Sequence, residues 1–366
     1  MSALVSTKNA AEILGVSSST INRMIKQGTL LPQKTKGGKN RFPMEDLLNH
    51  KQKITNDIDS IDSSNSLDVE QKPMTRKESH PKNKLNDLNG TEWLPETKSY
   101  FYQKGLGKSH PHAQIEKLHP APFSFQDISR LIAFFTKDGQ SVLDPFGGVG
   151  STAKACEILS RHCTSIELSP CWHSLSIERL ESEVAKDAVS NHKFINGDSR
   201  KVLKTFDKCS FDFIITSPPY WSILNKKADH KVKTHRLLDG LSTNYSDNDI
   251  NDLGNIEEYN DFLNVLVNDV MLECARVLKS QKYLCMIVSD FRNKSEFISF
   301  HSDLIQAMNK HLTPDGDILM LQGVKVLIQN HKSLLPYGYP YAYVENIHHQ
   351  YILIFRKERN IEKKSK

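Results

Sequence analysis

A strand that runs into a glycine-rich turn and then a helix constrains the fold more than any other stretch. Residues 141–143 predict the end of a buried strand, the turn reads Asp144-Pro145-Phe146-Gly147-Gly148-Val149-Gly150, and a helical pattern extends from Thr152 to Leu159. This order opens a nucleotide-type pocket at the carboxyl edge of an α/β sheet. Glycines let the backbone approach a ligand closely, although such turns also end strands for purely structural reasons. The turn has no Gly-Lys-Ser/Thr, so a P-loop is not expected.

A second apolar strand ends in a rigid polar-aromatic turn, Phe213-Ile214-Ile215-Thr216-Ser217-Pro218-Pro219-Tyr220-Trp221. Asp-Pro-Phe-x-Gly-x-Gly followed by Thr-Ser-Pro-Pro-Tyr resembles the motif pair of the amino-methylating DNA methyltransferases. The second motif is most similar to that of the cytosine-N4 branch. Adenine-N6 enzymes more often have Asp or Asn in place of Ser217, though some have Ser. The resemblance covers roughly residues 110–357.

The resemblance implies an α/β, Rossmann-like S-adenosylmethionine-dependent methyltransferase sheet, with S-adenosyl-L-methionine as cofactor. Glu167 ends the predicted second strand, 23 positions after Asp144, where a carboxylate can accept hydrogen bonds from both ribose hydroxyls. Asp198 follows the predicted third strand and would accept from the adenine amino group. Either acid alone is also typical of a surface charge. The predicted cofactor-binding residues are Asp144, Phe146, Gly148, Gly150, Glu167 and Asp198.

The segment 118–125, Leu-His-Pro-Ala-Pro-Phe-Ser-Phe, corresponds in the resembling family to the far wall of the cofactor pocket. Pro122, Phe123 and Phe125 are therefore candidates to pack against the methionine end of the cofactor. Proline and aromatic packing at the start of a helix would explain the same residues equally well.

The predicted catalytic residues are Ser217, Pro218, Pro219 and Tyr220. Ser217 Oγ and the Pro218 carbonyl can accept the two hydrogens of an exocyclic amine and aim its lone pair at a methyl donor. The prolines fix the turn, and Tyr220 offers a face for a flipped base. Pro170-Cys171 and Glu345-Asn346 are similar to motifs of cytosine-C5 enzymes, but Pro-Cys follows the second strand here, and we reject C5 chemistry.

Residues 1–50 predict a winged helix-turn-helix, with two short helices and a basic hairpin, and resemble excisionase-type or MerR-like modules. Lysines and arginines outnumber acids by nine to three in residues 1–53, so the chain's net charge of +5 is concentrated here. DNA contact is the favoured interpretation over a solvated basic cap. The predicted DNA-binding residues are Arg23, Lys26, Lys36, Lys39 and Arg41.

Residues 51–90 are rich in Ser, Asn, Asp and Lys and predict a flexible polar linker. Residues 91–366 then form the predicted methyltransferase domain. Within it, residues 222–256 are polar and lack a periodic pattern, which favours a mobile loop over the target base. The aromatic stretch 337–343 is compatible with DNA contact or with a packed hairpin.

Composition excludes several classes of protein. The chain has no apolar run of membrane-spanning length and no signal-peptide pattern, so we expect no membrane partner. Its six cysteines include no C-x-x-C pair, which argues against disulfides and a metal site and favours a cytoplasmic location.

The sequence therefore predicts a site-specific enzyme that methylates cytosine N4 in double-stranded DNA, with a restriction-modification setting and a cognate restriction endonuclease as expected partner. Adenine-N6 methylation on the same scaffold is the first alternative. The second is a DNA-binding transcriptional regulator whose methyltransferase domain is secondary.

Overall fold

The computed structural model divides the chain into two compact units, Met1–Arg76 and Lys77–Lys366. The structure describes residues 4–7, 9–10, 21, 25, 30–35, 40–44, 47, 78–103, 110, 112, 114–119, 123–221, 249–329 and 334–360. The predicted DNA-binding residues Arg23, Lys26, Lys36 and Lys39 lie outside these residues, as do most of the predicted linker and residues 222–248 of the predicted loop.

The first unit contains a small antiparallel sheet. Its strands are β1 (Leu4–Ser6), β2 (Gln33–Lys34) and β3 (Asn40–Pro43), in the order β1-β3-β2. Phe42 on β3 is buried with Ala10, Ile21 and Leu47 in a core of its own. Strands β2 and β3 pair as a hairpin, and Arg41 lies half-buried on β3 opposite Gln33.

The second unit is built on a nine-stranded sheet with a parallel centre. Its strands follow the order β12-β13-β14-β9-β8-β5-β6-β7, and β4 pairs with β13. The strands of the unit are β4 (Tyr100–Tyr102), β5 (Ser141–Asp144), β6 (His162–Glu167), β7 (Lys193–Asn196), β8 (Phe211–Thr216), β9 (Leu278–Val288), β10 (Phe291–Asn293), β11 (Glu296–Ile298), β12 (His311–Leu312), β13 (Ile318–Ile328) and β14 (His349–Glu358). Strands β10 and β11 form a separate hairpin.

Strands β5 to β9 pair in parallel, whereas β14 runs antiparallel to both β9 and β13. The helices of the unit are α1 (Gly90–Glu96), α2 (Phe125–Phe135), α3 (Ser151–Ile158), α4 (Pro170–Glu183), α5 (Ser199–Val202), α6 (Tyr259–Val265), α7 (Leu272–Val277) and α8 (Phe300–Met308). The apolar periodicity of residues 258–278 predicts one long helix. In the structure a π-helical segment, Leu266–Met271, joins α6 to α7 to form it.

Apolar cores cover both faces of this sheet. Strand β8 contributes Phe213 and Ile215 to the core shared with α2 and α3, and Ile214 to the core shared with α6, α7 and α8. A central parallel strand covered on both sides is continuously apolar, which is why the sequence pattern identified β8. The sheet, with its parallel centre and helices on both faces, confirms the predicted Rossmann-like α/β fold.

The predicted linker extended to residue 90, whereas the second unit begins at Lys77. Asn86 is fully buried there, and its side-chain amide donates to the carbonyl of Phe134 at 2.6 Å. Residues 78–90 therefore pack as part of the second unit. Within the described part of the chain, no helix is both long and apolar enough to span a membrane.

Candidate active site

The glycine turn after β5 lies close to its neighbours. Gly148 (φ +50°) and Gly150 (φ +75°) both have the left-handed backbone that favours glycine. A Cβ at Gly150 would lie 2.9 Å from Cβ of Ser176 on α4, and one at Gly148 would lie 3.5 Å from Nε2 of His119. Gly150 thus allows α4 to approach, whereas a Cβ at Gly148 would only make van der Waals contact with the His119 ring.

Asp144 lies fully buried behind this turn. One carboxylate oxygen accepts from Thr152 Oγ1 on α3 at 2.5 Å, and the other accepts from Thr216 Oγ1 on β8 at 2.7 Å. Burial raises the pKa of this carboxyl group. Asp144 and Gly150 do not line the cleft, and both contribute to the packing of the turn. Their contact with the cofactor stays a prediction.

A cleft opens where the carboxyl ends of β5, β6, β7 and β8 meet, and it encloses about 900 Å³, counting the part open to solvent. It brings together residues of both predicted motifs. The predicted site residues on its lining are Phe146, Gly148, Glu167, Asp198, Ser217 and Pro219. Phe123 also lines it as predicted, whereas Phe125 lies under the ammonium group of Lys154, 4.1 Å from ring centroid to Nζ. Pro122 lies outside the described residues.

Glu167 ends β6 and accepts a backbone hydrogen bond on each carboxylate oxygen. Gly148 N donates to Oε2 and Ser169 N donates to Oε1, both at 2.8 Å. Desolvation nevertheless raises the pKa of Glu167 to about 7. Each oxygen keeps a second lone pair, so the carboxylate can still accept from two hydroxyl groups.

Asp198 begins α5 and is held by Arg200. The guanidinium donates to both carboxylate oxygens, with Nη2–Oδ2 at 2.8 Å, and also to the backbone carbonyl of Asn251 at 3.0 Å. Arg200 thereby connects the end of β7 to residues 251–253, which line the opposite wall. The described end of the predicted loop is therefore part of the cleft.

The predicted catalytic turn follows β8 directly. Ser217 Oγ lies 3.4 Å from the Tyr220 hydroxyl, which accepts a hydrogen bond from Gln350 Nε2 at 3.0 Å. The Tyr220 ring meets Phe300 edge-on, and burial raises the pKa of its hydroxyl. Pro218 is buried, so the turn is fixed from behind while Ser217 and Pro219 face the cleft.

Sequence reasoning missed several residues of the site. Trp172 lines the cleft and meets His119 edge-on, with ring centroids 4.9 Å apart. Arg200 and Gln350 were also missed, because neither belongs to a motif. Arg200 stands two residues after Asp198, and this position beside a strand-end acid was the signal in the sequence that could have identified it. No comparable signal marks Gln350.

The chemistry of the cleft fits S-adenosyl-L-methionine. Glu167, Asp198 and Asp252 give its polar part negative charge, which suits ribose hydroxyls, an adenine amino group and a cationic sulfonium. Phe146, Trp172 and Val270 give it apolar walls. No group of three or more His, Cys, Asp or Glu side chains able to hold a metal ion is found among the described residues.

Solved structures resemble the chain only distantly. TrmN from Thermus thermophilus is 15% identical over 68% of this chain and 52% of its own, with a TM-score of 0.38. A protein assigned as a DNA modification methylase from the same organism, in complex with S-adenosyl-L-methionine, is 24% identical over 45% of this chain and 54% of its own, with a TM-score of 0.29. The chain thus spans about half the length of each, and neither likeness supports a functional argument.

No curated protein matches this sequence. The family model of the DNA methylases, which covers N6- and N4-methylating enzymes, matches residues 10–178 and 211–366. These segments include both motifs and most of the strands that form the cleft. The chain therefore belongs to the DNA methylase family, with S-adenosyl-L-methionine as its cofactor.

Proposed function

We propose that this protein transfers a methyl group from S-adenosyl-L-methionine to the exocyclic N4 of cytosine in duplex DNA. One observation carries the proposal: Ser217 and Pro219, with the buried Pro218 between them, stand on the lining of the same cleft as Phe146 and Glu167. A target amine held by Ser217 would thus lie beside the cofactor's reactive end. This adjacency is what a direct transfer requires.

The cofactor supplies an activated methyl group on a sulfonium. In the proposal, Glu167 accepts from the two ribose hydroxyls with its spare lone pairs. Asp198, fixed by Arg200, accepts from the adenine amino group. Phe146 and Trp172 cover the apolar surface of the bound nucleoside and exclude water.

Ser217 prepares the amine. The lone pair of an exocyclic amine is delocalised into the base, so the amine is a poor nucleophile. Hydrogen bonds from its two hydrogens to Ser217 Oγ and the Pro218 carbonyl favour tetrahedral nitrogen and aim the lone pair. Ser217 therefore acts as an acceptor and forms no covalent bond with the base.

Tyr220 supports this role of Ser217. Its hydroxyl lies between Gln350 and Ser217, so it can donate to Ser217 Oγ while it accepts from Gln350. In the proposal its ring also stacks on the flipped base, which is worth about 1–3 kcal/mol against a flipping cost of a few kcal/mol.

The N-terminal unit completes the proposal. A helix-turn-helix in residues 1–50, with Arg23, Lys26, Lys36, Lys39 and Arg41 on phosphates, would deliver the enzyme to duplex DNA through a linker. The methylated sites would then be protected against a partner restriction endonuclease.

Mass spectrometry of nucleosides, after incubation of mixed-sequence DNA with the protein and cofactor, tests the proposed reaction. N4-methylcytosine is the expected product. N6-methyladenine would instead show that the enzyme methylates adenine by the same mechanism. Absence of any methylated base, with DNA binding intact, would contradict the proposal and favour the transcriptional regulator.

Ser217→Ala tests the role of the catalytic turn. The turnover rate should fall on the order of 100-fold, because a positioned hydrogen-bond partner is lost, while calorimetry should give an unchanged cofactor dissociation constant. Ser182→Ala, at an exposed serine on α4, is the matched control. A Ser217→Ala protein with full activity would overturn the assigned role.

A further inference from the structure

Exposed tyrosines are concentrated at one place in the enzyme unit. Of the chain's 11 tyrosines, four lie in residues 334–348, here called the tyrosine loop. Tyr339, Tyr341 and Tyr343 are 80%, 95% and 83% exposed, and Tyr337 is 38% exposed. Large apolar rings with this exposure are costly in water and commonly mark a binding surface.

The tyrosine loop lies at the edge of the sheet that carries the catalytic turn. It connects β13 to β14, and β14 begins beside the carboxyl end of β9, where Tyr351 pairs with Val288. Strand β9 is parallel to β8, which delivers Ser217. Gln350, two residues beyond the loop, contacts Tyr220 directly.

The loop has a defined backbone. The Asn346 side chain accepts from Leu335 N and donates to Leu335 O, both at 2.9 Å, and so closes its base. Tyr341 N donates to Gly338 O at 2.7 Å, and Gly338 has φ +72°. A Cβ at Gly338 would lie 2.3 Å from the Ala342 carbonyl oxygen, so this turn requires glycine. The exposed rings are therefore presented by an organised turn.

Two further tyrosines lie beside the carboxyl end of β13. Strand β4 pairs with the carboxyl end of β13, and its Tyr100 and Tyr102 are 42% and 55% exposed. Their rings meet edge-on at 5.8 Å. Gln103, the next residue, donates from its backbone to Ile328 O. Strand β4 thus exposes two more tyrosine rings beside the end of β13.

We propose that the tyrosine loop stacks on unpaired bases of the DNA substrate beside the extruded target. The inference rests on the proposed function, which places DNA at this edge. Every base has an aromatic face, so exposed tyrosine rings can hold bases irrespective of sequence. The loop carries one formally charged residue, Glu345, so its contribution comes from rings rather than from phosphate neutralisation.

The test compares two short fluorescent duplexes, one fully paired and one with a single unpaired cytosine. The full-length protein should bind the bulged duplex more tightly. The triple variant Tyr339→Ala, Tyr341→Ala, Tyr343→Ala should lose roughly tenfold or more of that preference. Any contribution of the N-terminal unit cancels in the ratio of the two dissociation constants.

The corresponding triple Phe variant should keep the preference within about twofold, since it keeps the rings. Leu312→Ala removes an exposed apolar side chain (54%) beside the amino end of β13, at the opposite edge, and should change nothing. Cofactor binding should be equal in all four proteins.

An unchanged preference in the triple Ala variant, or no preference in the wild type, would overturn the proposal. Both results leave the proposed function intact if DNA is still methylated. A wild-type dimer that the triple Ala variant converts to a monomer would assign the loop to a second copy of the chain instead. If the wild type neither methylates nor binds DNA, the proposed function itself fails.

Discussion

Glu167 combines two properties that oppose each other in a cofactor site. Burial in the cleft penalises its charge, yet the carboxylate must be charged to accept strongly from ribose hydroxyls and to attract a cationic cofactor. Hydrogen bonds from Gly148 N and Ser169 N offset part of the penalty, and the pKa still lies at about 7. Cofactor binding should therefore titrate near neutrality.

Cofactor binding should weaken as the pH falls below neutrality. Glu167 is mostly protonated below its pKa of about 7, so the acceptor is weakened there and bound cofactor must displace a proton. We expect the dissociation constant for S-adenosyl-L-methionine to rise by up to about tenfold per pH unit as the pH falls from 7 toward 5, and to level off above 8. Isothermal titration calorimetry across this range measures it.

Glu167→Gln supplies the control for that experiment. A glutamine side chain stays neutral, so binding should be weaker at pH 8 and nearly independent of pH between 6 and 8. A wild-type protein with a flat profile, or a glutamine variant that keeps the slope, would assign the titration to another group.

At the scale of single residues, the sequence predicted where the acids and glycines of the site stand, but not which groups they contact. Glu167 and Asp198 were found because strand ends in a parallel sheet meet at one edge. Asp144 stands at a strand end too, yet it faces inward to Thr152 and Thr216. Which way a strand-end side chain turns depends on partners distant in sequence, and a motif does not contain them.

Helix α4 shows what fixes the glycine turn from behind. Its Arg179 is fully buried and donates to Glu183 at 3.0 Å, to Glu116 at 2.7 Å and to Val149 O at 3.2 Å. The guanidinium thus ties the turn to the 3₁₀ helix Glu116–Leu118, which precedes His119 on the cleft wall. Burial raises the pKa of Glu116 despite this partner.

Arg179→Met should lower the free energy of unfolding by about 3–5 kcal/mol, because it leaves buried carboxylates without their guanidinium. Denaturant unfolding followed by tryptophan fluorescence measures this. Arg356→Met removes a half-exposed ion pair with Glu358 and should cost less than about 1 kcal/mol. Equal losses in the two variants would show that the buried network adds no stability of its own.

Elements were predictable where apolar periodicity was strong. The pattern of residues 258–278 identified the long helix, although not its π-helical middle, which carries Leu266, Val267, Val270 and Met271 into the core. Helix α1 has no buried residue and gave no pattern, since its start is set by a capping box of Asn89 and Glu92. A capping box consists of hydrogen bonds between polar residues a few positions apart, so apolar periodicity does not reveal where such a helix begins.

At the scale of the molecule, the main difference concerns where the enzyme unit begins. Residues 83–90 are mostly polar, and their composition predicts a linker. In the structure, however, Asn83 and Asn86 form hydrogen bonds within the second unit. Asn83 donates to Asn86 at 2.7 Å, and Asp87 pairs with Arg161 at 3.2 Å. Polar composition indicates disorder only when the polar groups lack partners, and partners 48 or more residues away are not visible in sequence.

Two truncated chains test this boundary. Residues 78–366 retain every contact just described and should unfold in one cooperative transition with the cofactor affinity of the full chain. Residues 91–366 lose the cap of α1, the Asn86–Phe134 hydrogen bond and the Asp87–Arg161 pair. The loss should be on the order of 2–4 kcal/mol, which lowers the melting temperature by about 5–10 °C.

Differential scanning calorimetry of both chains, with Asn86→Ala in the longer one as a matched variant, measures the effect. Asn86→Ala should reproduce a part of the shift, because it leaves a buried backbone carbonyl at Phe134 without its donor. If the shorter chain melted at the same temperature as the longer one, residues 78–90 would contribute nothing to the fold. The linker would then extend to residue 90, as composition alone suggests.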